Sequence, residues 1–532
     1  MPAYYKGKRI APVKVIELGG EYNIDQIIDG DECELVITLA DGSEITLDLP
    51  EEFGNAGNVY YFQVDEDTLL VSGDANDIGV WMYTLSTNIW EQKYSHSEWD
   101  VFQMVGNNCL LGRTLSGYND GILLYDSETK TINRIYTSGT TWRNFHVVEN
   151  DCIISGYGST VGILLYDGKT KTIEQKYDIS YWDIFQDVPN GCLISTTNSS
   201  GSIHKGVLLY NKINKTITQI YQNGINHATF KKVNNGNYLI TCQTYDAGLL
   251  LYNSVTNDIK KVYGEPLQTT ANWREFQLVP NGCLIGSSSS SDTGILFYDD
   301  ETEEVTLKYE IGQYWRDFIV VNNNCLILGG KIYSSYGDGG ILVYNTSTKT
   351  IQQIYTETFS YTTNGIWWYV INNDCILTST SKGILYYDGS LNTITKYFES
   401  YSSINKFEKV GNKILMGTGS SSLKGILEYD IDTKVIEHNY TSGGYWCYFS
   451  VLKDGNCLIS SSNTNSKGIL LYDIETNSIL KLSKVGYNYT TCKYINGVYL
   501  LSSMNKSVNP LVLEYNPATK TTKLAKYYIG KV

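Results

Sequence analysis

One six-residue phrase recurs along this chain and constrains its fold more than any other feature. The phrase is a glycine, three mostly apolar residues, a tyrosine, and then an aspartate or asparagine. Clear copies begin at Gly121, Gly162, Gly206, Gly248, Gly294, Gly340, Gly383, Gly425 and Gly468, with degenerate copies at Gly79 and Pro510. Consecutive copies lie 41 to 46 residues apart, so the 532-residue chain contains about eleven copies of one structural unit.

Each unit divides into four strand-length segments, which we name A to D. In the fourth unit these segments are 182–188, 192–197, 206–210 and 216–221. A Pro-Asn-Gly turn joins A to B there, and turns such as DSETK, beginning at Asp126, join C to D. Such short turns between apolar segments are hairpin signals, so each unit is expected to form four antiparallel strands.

Four antiparallel strands repeated every 40 to 45 residues match one blade of a β-propeller. We therefore predict an all-β chain: a β-propeller of about eleven four-stranded blades, in a single large ring or in two abutting rings. The composition agrees, because tyrosine (45 residues) favours strands and glycine (48 residues) favours turns. The competing fold is a β-solenoid, whose coils are usually shorter and lack regular hairpins.

Residues 1–55 lie outside the repeat, and residues 56–532 form it. Segments 13–17, 33–39 and 44–49 are expected to be strands, with Asp41-Gly42 as a hairpin turn. We interpret 1–55 as a small β segment that serves as an attachment arm. The alternative is that this segment only adds a strand to the repeat array.

Charge and hydropathy exclude several classes of partner. The chain has 41 Lys and Arg against 56 Asp and Glu, a formal net charge of −15, which opposes binding to a phosphate backbone. No apolar run approaches the roughly 18 residues needed to span a bilayer. The N-terminus also lacks the apolar core of a secretory signal peptide. We therefore expect no nucleic-acid partner, no membrane insertion and no Sec-type secretion.

Cysteines and histidines carry no recognisable metal motif. Seven of the eleven cysteines occupy one repeat position, the start of segment B, where other units have Thr68, Tyr238, Lys413 or Tyr499. A position that accepts these substitutes needs no disulfide, which indicates small buried side chains in a reducing compartment. The five histidines are scattered without ligand spacing, so neither a metal site nor a cofactor is predicted.

The alternating strand direction places the B–C and D–A loops on one face of the array, which we name the loop face. The A–B and C–D turns then form the opposite face, the turn face. From the segment B cysteine position to the phrase glycine the distance varies from 8 to 15 residues, whereas the A–B distance varies little. Because binding residues concentrate on variable loops held by a rigid scaffold, we predict that the loop face binds a ligand.

The candidate ligand-binding residues stand at the start of segment A. They are six tryptophans and three arginines that follow a tryptophan directly: Trp99, Trp142, Trp182, Trp273, Trp315, Trp446, Arg143, Arg274 and Arg316. Aromatic rings beside polar groups can stack on sugar faces or anchor a protein partner. The alternative is that a repeated tryptophan packs between blades. No catalytic constellation interrupts the repeat, so we predict no enzyme activity and no catalytic residue.

The repeats resemble the broad β-propeller superfamily, with hairpins like those of kelch-type blades. The opening, MPAYYKGKRIAPVKVI, resembles N-terminal segments of virion fibre and appendage proteins of phages. This resemblance implies a phage structural or receptor-binding protein located in the virion. Its N-terminal segment would contact other virion proteins, and its propeller a host-surface glycan or protein. The alternative is a cellular glycan- or protein-binding propeller, cytoplasmic or at the cell surface.

Overall fold

The structure is a computed structural model of the full chain. It describes residues 3–5, 8–10, 14–17, 34–38, 44–56, 58–73, 78–96, 98–114, 121–139, 141–156, 162–178, 182–196, 206–223, 229–242, 248–264, 273–287, 294–311, 315–331, 340–357, 359–360, 366–379, 382–398, 404–418, 425–442, 445–461, 468–483, 489–495, 497–503 and 512–524. Within these residues the only helix is a short 3-10 turn, Glu51–Asn55. The predicted turn at Asp41-Gly42 lies outside them.

Eleven antiparallel sheets follow one another along these described residues, each with its strands in the order A-B-C-D. The chain divides into two compact units, 1–232 with 236–271 and 233–235 with 272–532. The strands of the first unit are, in sheet 1, Asn58–Asp65, Thr68–Gly73, Val80–Thr84 and Ile89–Tyr94; in sheet 2, Val101–Val105, Asn108–Gly112, Ile122–Asp126 and Thr131–Tyr136; in sheet 3, Trp142–Val148, Asp151–Gly156, Ile163–Asp167 and Thr172–Tyr177; in sheet 4, Ile184–Val188, Gly191–Ser195, Val207–Asn211 and Thr216–Tyr221; in sheet 5, Phe230–Lys232, Tyr238–Cys242, Gly248–Tyr252 and Ile259–Tyr263.

The second unit holds the remaining six sheets. Their strands are, in sheet 6, Trp273–Val279, Gly282–Ser287, Ile295–Asp299 and Val305–Tyr309; in sheet 7, Trp315–Val321, Asn324–Lys331, Gly340–Asn345 and Thr350–Tyr355; in sheet 8, Ile366–Ile371, Asp374–Ser379, Gly383–Asp388 and Thr393–Phe398; in sheet 9, Ile404–Val410, Lys413–Thr418, Ile426–Asp430 and Ile436–Tyr440; in sheet 10, Trp446–Val451, Cys457–Ser461, Ile469–Asp473 and Ser478–Ser483; in sheet 11, Tyr489–Ile495, Val498–Ser503, Leu513–Asn516 and Thr521–Leu524. A two-residue strand, Phe359–Ser360, also pairs with strand B of sheet 7.

These sheets confirm the predicted fold class, an all-β chain built from eleven propeller-type blades. The pairing of the strands also excludes a β-solenoid fold. In a solenoid, strands of successive coils pair with one another, whereas here each four-stranded sheet is completed within one sequence repeat. Strands B and C are buried, whereas strand D has exposed and half-buried residues, as in Thr172–Tyr177.

The hydrophobic core consists of a series of clusters, most of them shared by two consecutive sheets of the same unit and one by sheet 1 and the N-terminal segment. Between sheets 2 and 3, for example, Leu110 and Leu124 contact Trp142, Ile154 and Leu164. Clusters of the same composition join sheets 3 and 4, and sheets 6 and 7. Because a single sheet leaves an apolar face in water, the repeats are stable only when stacked.

The glycine that opens the repeated phrase allows strand C to approach strand D closely. Gly121 has φ +73°, and a Cβ atom there would lie 1.7 Å from the carbonyl oxygen of Tyr136, the last residue of strand D. The pairing of C with D shifts register at this point, between Ile122 and Leu123. Only a residue without a side chain fits this bulge, which explains the glycine in the repeat.

The N-terminal segment is attached to sheet 1. Strand Lys14–Glu17 pairs in parallel with strand A of sheet 1, and hairpin strands Glu34–Thr38 and Glu44–Asp48 precede the 3-10 turn. Leu47 and Phe53 share a core cluster with Val59 and Leu69 of sheet 1. Part of the segment therefore covers one face of the first sheet. A separate small sheet, Ala3–Tyr5 with Lys8–Ile10, lies nearer the N-terminus, and a role of residues 1–55 in attachment stays a prediction.

The turn face is tied together by ion pairs between neighbouring sheets. In the C–D turns an aspartate or asparagine side chain accepts the backbone N–H groups two and three residues later, as Asp126 does from Glu128 and Thr129. The fifth turn residue is a lysine with left-handed backbone in six sheets. Its ammonium group reaches an aspartate of the preceding sheet in Lys130–Asp65 (2.8 Å), Lys171–Asp126 (2.6 Å), Lys215–Asp167 (2.6 Å), Lys349–Asp299 (2.5 Å), Lys434–Asp388 (3.2 Å) and Lys520–Asp473 (2.5 Å).

We expect Gly121→Ala to destabilise the protein far more than Gly106→Ala. Both glycines have left-handed φ angles, which costs an alanine about 1 kcal/mol at either site. A Cβ at Gly106 meets nothing within 4 Å, whereas one at Gly121 collides with a backbone carbonyl and adds roughly 1–3 kcal/mol of overpacking. Urea denaturation followed by circular dichroism measures both changes. Equal midpoints for the two variants would contradict the close-approach explanation.

We expect the stability of the protein to fall as the pH drops below about 4. The lysine partner holds the pKa of Asp126, Asp167, Asp299 and Asp473 below the ordinary value. A carboxyl group with a lowered folded-state pKa stabilises the protein above its unfolded pKa, roughly 3.9, and loses that contribution as the pH falls through the folded value. Thermal unfolding measured from pH 6 to pH 2.5 tests this.

The variant Asp126→Asn isolates one pair. This variant should lose part of the decrease in unfolding free energy between pH 6 and pH 2.5. The difference should be at most about 1 kcal/mol, because the pair lies at the surface. Glu301→Gln, two residues after the aspartate in the same kind of turn in sheet 6, is the control and should leave the pH profile unchanged. A profile for Asp126→Asn that matches the wild type would remove this pair from the explanation.

Candidate functional site

The predicted site residues lie where the chain enters strand A from the loop face. Trp142, Trp273, Trp315 and Trp446 are the first residues of strand A in their sheets. Trp99 and Trp182 lie two residues before it in sheets 2 and 4. The structure therefore places all six at equivalent positions, at the ends of strands that carry the D–A loops.

The indole rings of these tryptophans are buried. None of the six is more than 4% exposed, and five are among the largest fully buried side chains of the protein. Five of the rings lie in the interface with the preceding sheet, edge-on to the tyrosine that ends strand D there. The ring centroids are 5.9 Å apart in Tyr94–Trp99, 5.6 Å in Tyr136–Trp142, 5.8 Å in Tyr177–Trp182, 5.8 Å in Tyr309–Trp315 and 6.0 Å in Tyr440–Trp446.

The indole nitrogens hold the D–A loops in place. Nε1 of Trp142 donates to the carbonyl of Ser138 at 3.1 Å, and Nε1 of Trp446 donates to that of Ser442 at 3.1 Å. In the same way, Nε1 of Trp99 donates to the carbonyl of His96, and Nε1 of Trp315 donates to that of Ile311. Each of these four tryptophans thus fills the space between two sheets and is hydrogen-bonded to the loop that links them. Direct contact of these rings with a ligand stays a prediction.

The three arginines differ from the tryptophans in exposure. Arg143 and Arg274 are exposed, and Arg316 is half-buried. Burial raises the pKa of the Glu275 carboxyl group above its ordinary value. The positive charges of Arg316 and Arg274 offset part of this increase. These arginines place positive charge next to the loop face of an acidic protein. Their contact with a ligand also stays a prediction.

A buried ion pair at the edge of the loop face escaped the sequence analysis. Nη2 of Arg113 lies 3.4 Å from Oε2 of Glu98, and both side chains are about 5% exposed or less. Beside it, Oδ1 of Asp100 accepts the N–H of Thr114 at 2.7 Å. Together these contacts join the D–A loop before sheet 2 to the B–C loop after Gly112. The signal in the sequence was a charged pair, Glu98 and Arg113, at positions that are uncharged in the other units.

A buried ion pair rarely adds net stability, because two charges lose their hydration. What the contact does here is geometric: it joins two loops of the loop face at one point. The pair is held further by the N–H of Arg113, which donates to the carbonyl of Trp142 at 3.0 Å.

The seven cysteines of the repeat do not provide nucleophiles. Cys109, Cys152, Cys192, Cys283, Cys325, Cys375 and Cys457 are buried and unbridged in strand B. Burial raises the pKa of each thiol whose pKa shift is resolved, for example to about 12 for Cys375. A protonated thiol is a weak nucleophile, so burial makes these side chains poorly suited to nucleophilic attack.

Comparison with known proteins gives structural likeness but no family. No protein-family model matches the chain, and no curated protein matches it. Among solved structures, the extracellular domain of BT4673 of B. thetaiotaomicron, named as a one-component system, is 14% identical with a TM-score of 0.24, and the match covers 100% of this chain and 73% of that one. The extracellular domain of the BT3049 hybrid two-component system of B. thetaiotaomicron is 13% identical with a TM-score of 0.26, covering 92% and 68%.

A third solved structure is the computationally designed Ika8 protein. It is 11% identical with a TM-score of 0.28, and the match covers 65% of this chain and 96% of that one. At such TM-scores we draw no conclusion about function from any of these structures. Separately, none of the helices in the described part of the chain has the length and apolar character needed to cross a membrane.

We expect Trp315→Ala to lower the free energy of unfolding by about 3–5 kcal/mol, as for other buried aromatic truncations. The same substitution at exposed Arg143 should change it by no more than about 0.5 kcal/mol. Urea denaturation of both variants, followed by intrinsic fluorescence and circular dichroism, provides the comparison. If Trp315→Ala were as stable as the wild type, the ring would not be a packing element.

Proposed function

We propose that this chain is a non-enzymatic binding protein whose loop face recognises a glycan or protein ligand. The observation that supports it is the contrast between the two faces. The turn face is built from turns of one kind, joined by lysine–aspartate pairs in six sheets. The loop face carries connections of variable length on strand ends that are held rigidly.

Rigidity at the base of the loops comes from the buried tryptophans and from the Glu98–Arg113 pair. These residues hold the ends of the D–A loops before sheets 2, 3, 7 and 10, while leaving the middle of each of these loops free to vary in sequence. A rigid scaffold with variable loops lowers the entropy cost of binding, because only the loops have to be ordered. This is the arrangement used by many binding proteins built on β-sheets.

The composition of the loops suits recognition. Residues 197–205 read TNSSGSIHK, residues 288–293 read SSSSDT, and residues 356–365 read TETFSYTTNG. Serine, asparagine and glycine supply adaptable hydrogen bonds, and tyrosine supplies a large contact area at low entropy cost. Antibody loops have the same bias. Hydroxyl- and amide-rich loops of this kind match the hydrogen-bonding groups of sugars and of polar protein surfaces.

Charge narrows the class of ligand. The net charge of −15 opposes nucleic acid. Arg143, Arg274 and Arg316 add local positive charge beside the loop face, which favours a ligand with acidic or polar groups, such as an acidic sugar or a carboxylate-bearing protein surface. These arginines are the residues we expect to contribute most to binding.

A receptor-binding protein of a phage virion is the second candidate. It rests on the N-terminal resemblance, and on the placement of a two-stranded sheet, Ala3–Tyr5 with Lys8–Ile10, ahead of the segment that covers sheet 1. In this case the host-surface ligand would be bound by the loop face, and other virion proteins by residues 1–10. Capsid and tail genes next to the coding sequence would favour this candidate over a cellular binding protein.

The binding proposal predicts that single arginine variants lose affinity. The purified full chain is applied to a glycan array and to intact bacterial cells, and Arg143→Ala and Arg274→Ala should each lower binding several-fold. Lys169→Ala is the matched control, because Lys169 is an exposed cation of the same sheet 3, but in its C–D turn. Thermal unfolding checks that each variant is folded.

Two results would overturn the proposal. One is the absence of binding by the wild type to any glycan or cell surface tested. The other is binding that both arginine variants retain and that Lys169→Ala loses, which would place the ligand on the turn face.

A further inference from the structure

Three side chains that can ligate a metal meet between sheets 3 and 4 of the first unit. They are His146 in strand A of sheet 3, Asp187 in strand A of sheet 4, and Cys192 in strand B of sheet 4. One ligand atom from each lies within 4.8 Å of the others. Nε2 of His146 is 2.8 Å from Oδ1 of Asp187.

The register of the strands explains why these groups converge. Asp187 pairs directly with Cys192 across the A–B hairpin of sheet 4, so both side chains point to the same face. Cys192 belongs to the core cluster shared with sheet 3. On the opposing sheet, the imidazole of His146 stacks on the ring of Phe185, with ring centroids 5.1 Å apart and an angle of 8° between the ring planes.

We propose that His146, Asp187 and Cys192 form a binding site for a late first-row transition metal ion, with Zn²⁺ the expected occupant. Nitrogen, sulfur and carboxylate oxygen are the donor set that zinc prefers, at roughly 2.0–2.3 Å from the ion. Three protein donors leave the fourth tetrahedral position for water. Seating the ion requires the His146 nitrogen and the Asp187 oxygen to separate by about 0.5 Å, and the Cys192 sulfur, within 4.8 Å of both, to approach them by up to about 1 Å.

Access and preorganisation both suit an ion. The side chain of Asp187 is 67% exposed and that of His146 is 24% exposed, so the site opens to solvent on one side. The Cys192 thiol lies on the buried side. Burial raises its pKa, so zinc has to displace a proton from sulfur, as it does whenever a thiol becomes a ligand.

The repeat itself shows how unusual the combination is. In the pair of sheets 2 and 3, the positions that correspond to His146, Asp187 and Cys192 hold Gln103, Val147 and Cys152. In the pair of sheets 9 and 10 they hold Glu408, Val451 and Cys457. Among the residues the structure describes, the His-Asp-Cys trio is the one cluster of this kind. The bound ion would link two adjacent sheets across their interface.

The spacing of the three residues in the sequence could not indicate this site. His146 and Asp187 are 41 residues apart, one repeat length, and come from different sheets. Motif-based prediction of zinc sites relies on ligands within a few residues of one another. The proposal is independent of the binding function of the loop face, since the ligands lie near the A–B turn of sheet 4.

Cobalt substitution tests the site directly. The full chain is freed of metal with a chelator under reducing conditions and titrated with Co²⁺ and then with Zn²⁺. We expect one equivalent of Co²⁺ to give visible tetrahedral absorption and a thiolate-to-cobalt charge-transfer band in the near ultraviolet. Zinc should displace it and raise the unfolding temperature.

Three variants and one matched control complete the test. His146→Ala and Asp187→Asn should each weaken binding at least about tenfold. Cys192→Ser should abolish the charge-transfer band. Cys152→Ser, the equivalent thiol one sheet earlier, should leave the titration unchanged. Asp187 is exposed, so the Asp187→Asn variant remains informative even if the buried cysteine variant does not fold.

The proposal is overturned if the wild type binds no metal beyond background. It is also overturned if the cobalt spectrum lacks the sulfur band, or if Asp187→Asn and His146→Ala bind as tightly as the wild type. Loss of the band in Cys152→Ser but not in Cys192→Ser would place the thiolate ligand elsewhere.

Discussion

The packing of one four-stranded sheet against the next is the interaction on which the rest of this structure depends. Strands B and C are buried, and their apolar side chains form clusters that join consecutive sheets of a unit, or in one case sheet 1 and the N-terminal segment. A single sheet would leave one such face in water, at a cost of about 25 cal/mol for each Å² of apolar surface. The stability of each repeat is therefore shared with its neighbours, as in other repeat proteins.

The two faces of the array use this packing differently. On the turn face, the aspartate that accepts the backbone N–H groups of a turn also forms an ion pair with the lysine of the next sheet. One residue therefore stabilises both the turn and the contact between two sheets. On the loop face, a tryptophan fills the interface and its indole nitrogen holds the incoming loop. The loops are then anchored at both ends and free to differ in between.

The tryptophans illustrate what a repeated residue indicates. The tryptophan that recurs at one position in six units is buried in all six, and in five of them it packs edge-on against a tyrosine of the preceding sheet. Side chains that act in one place break the repeat instead. Glu98 with Arg113 is one example, and His146 with Asp187, which converge on the repeated Cys192, is another. In this chain, departures from the repeat are thus the better guide to specific sites.

The sequence by itself determined the number of units, the four strands of each, the turns of the turn face and the buried position of the cysteines. All of these follow from local rules: short runs of apolar residues, the turn preferences of Asp, Asn and Gly, and a period of about 42 residues. The bulge that requires Gly121 was visible as a repeated glycine, although its cause, the carbonyl of Tyr136, was not.

Only the tertiary structure decided which faces meet. It buried the tryptophan rings, paired Lys171 with Asp126 across two sheets, placed Phe53 on sheet 1, and brought His146 to Asp187. Each of these contacts joins residues from different units or from the N-terminal segment. No rule of local sequence specifies such pairs, because they depend on how one completed sheet packs against the next.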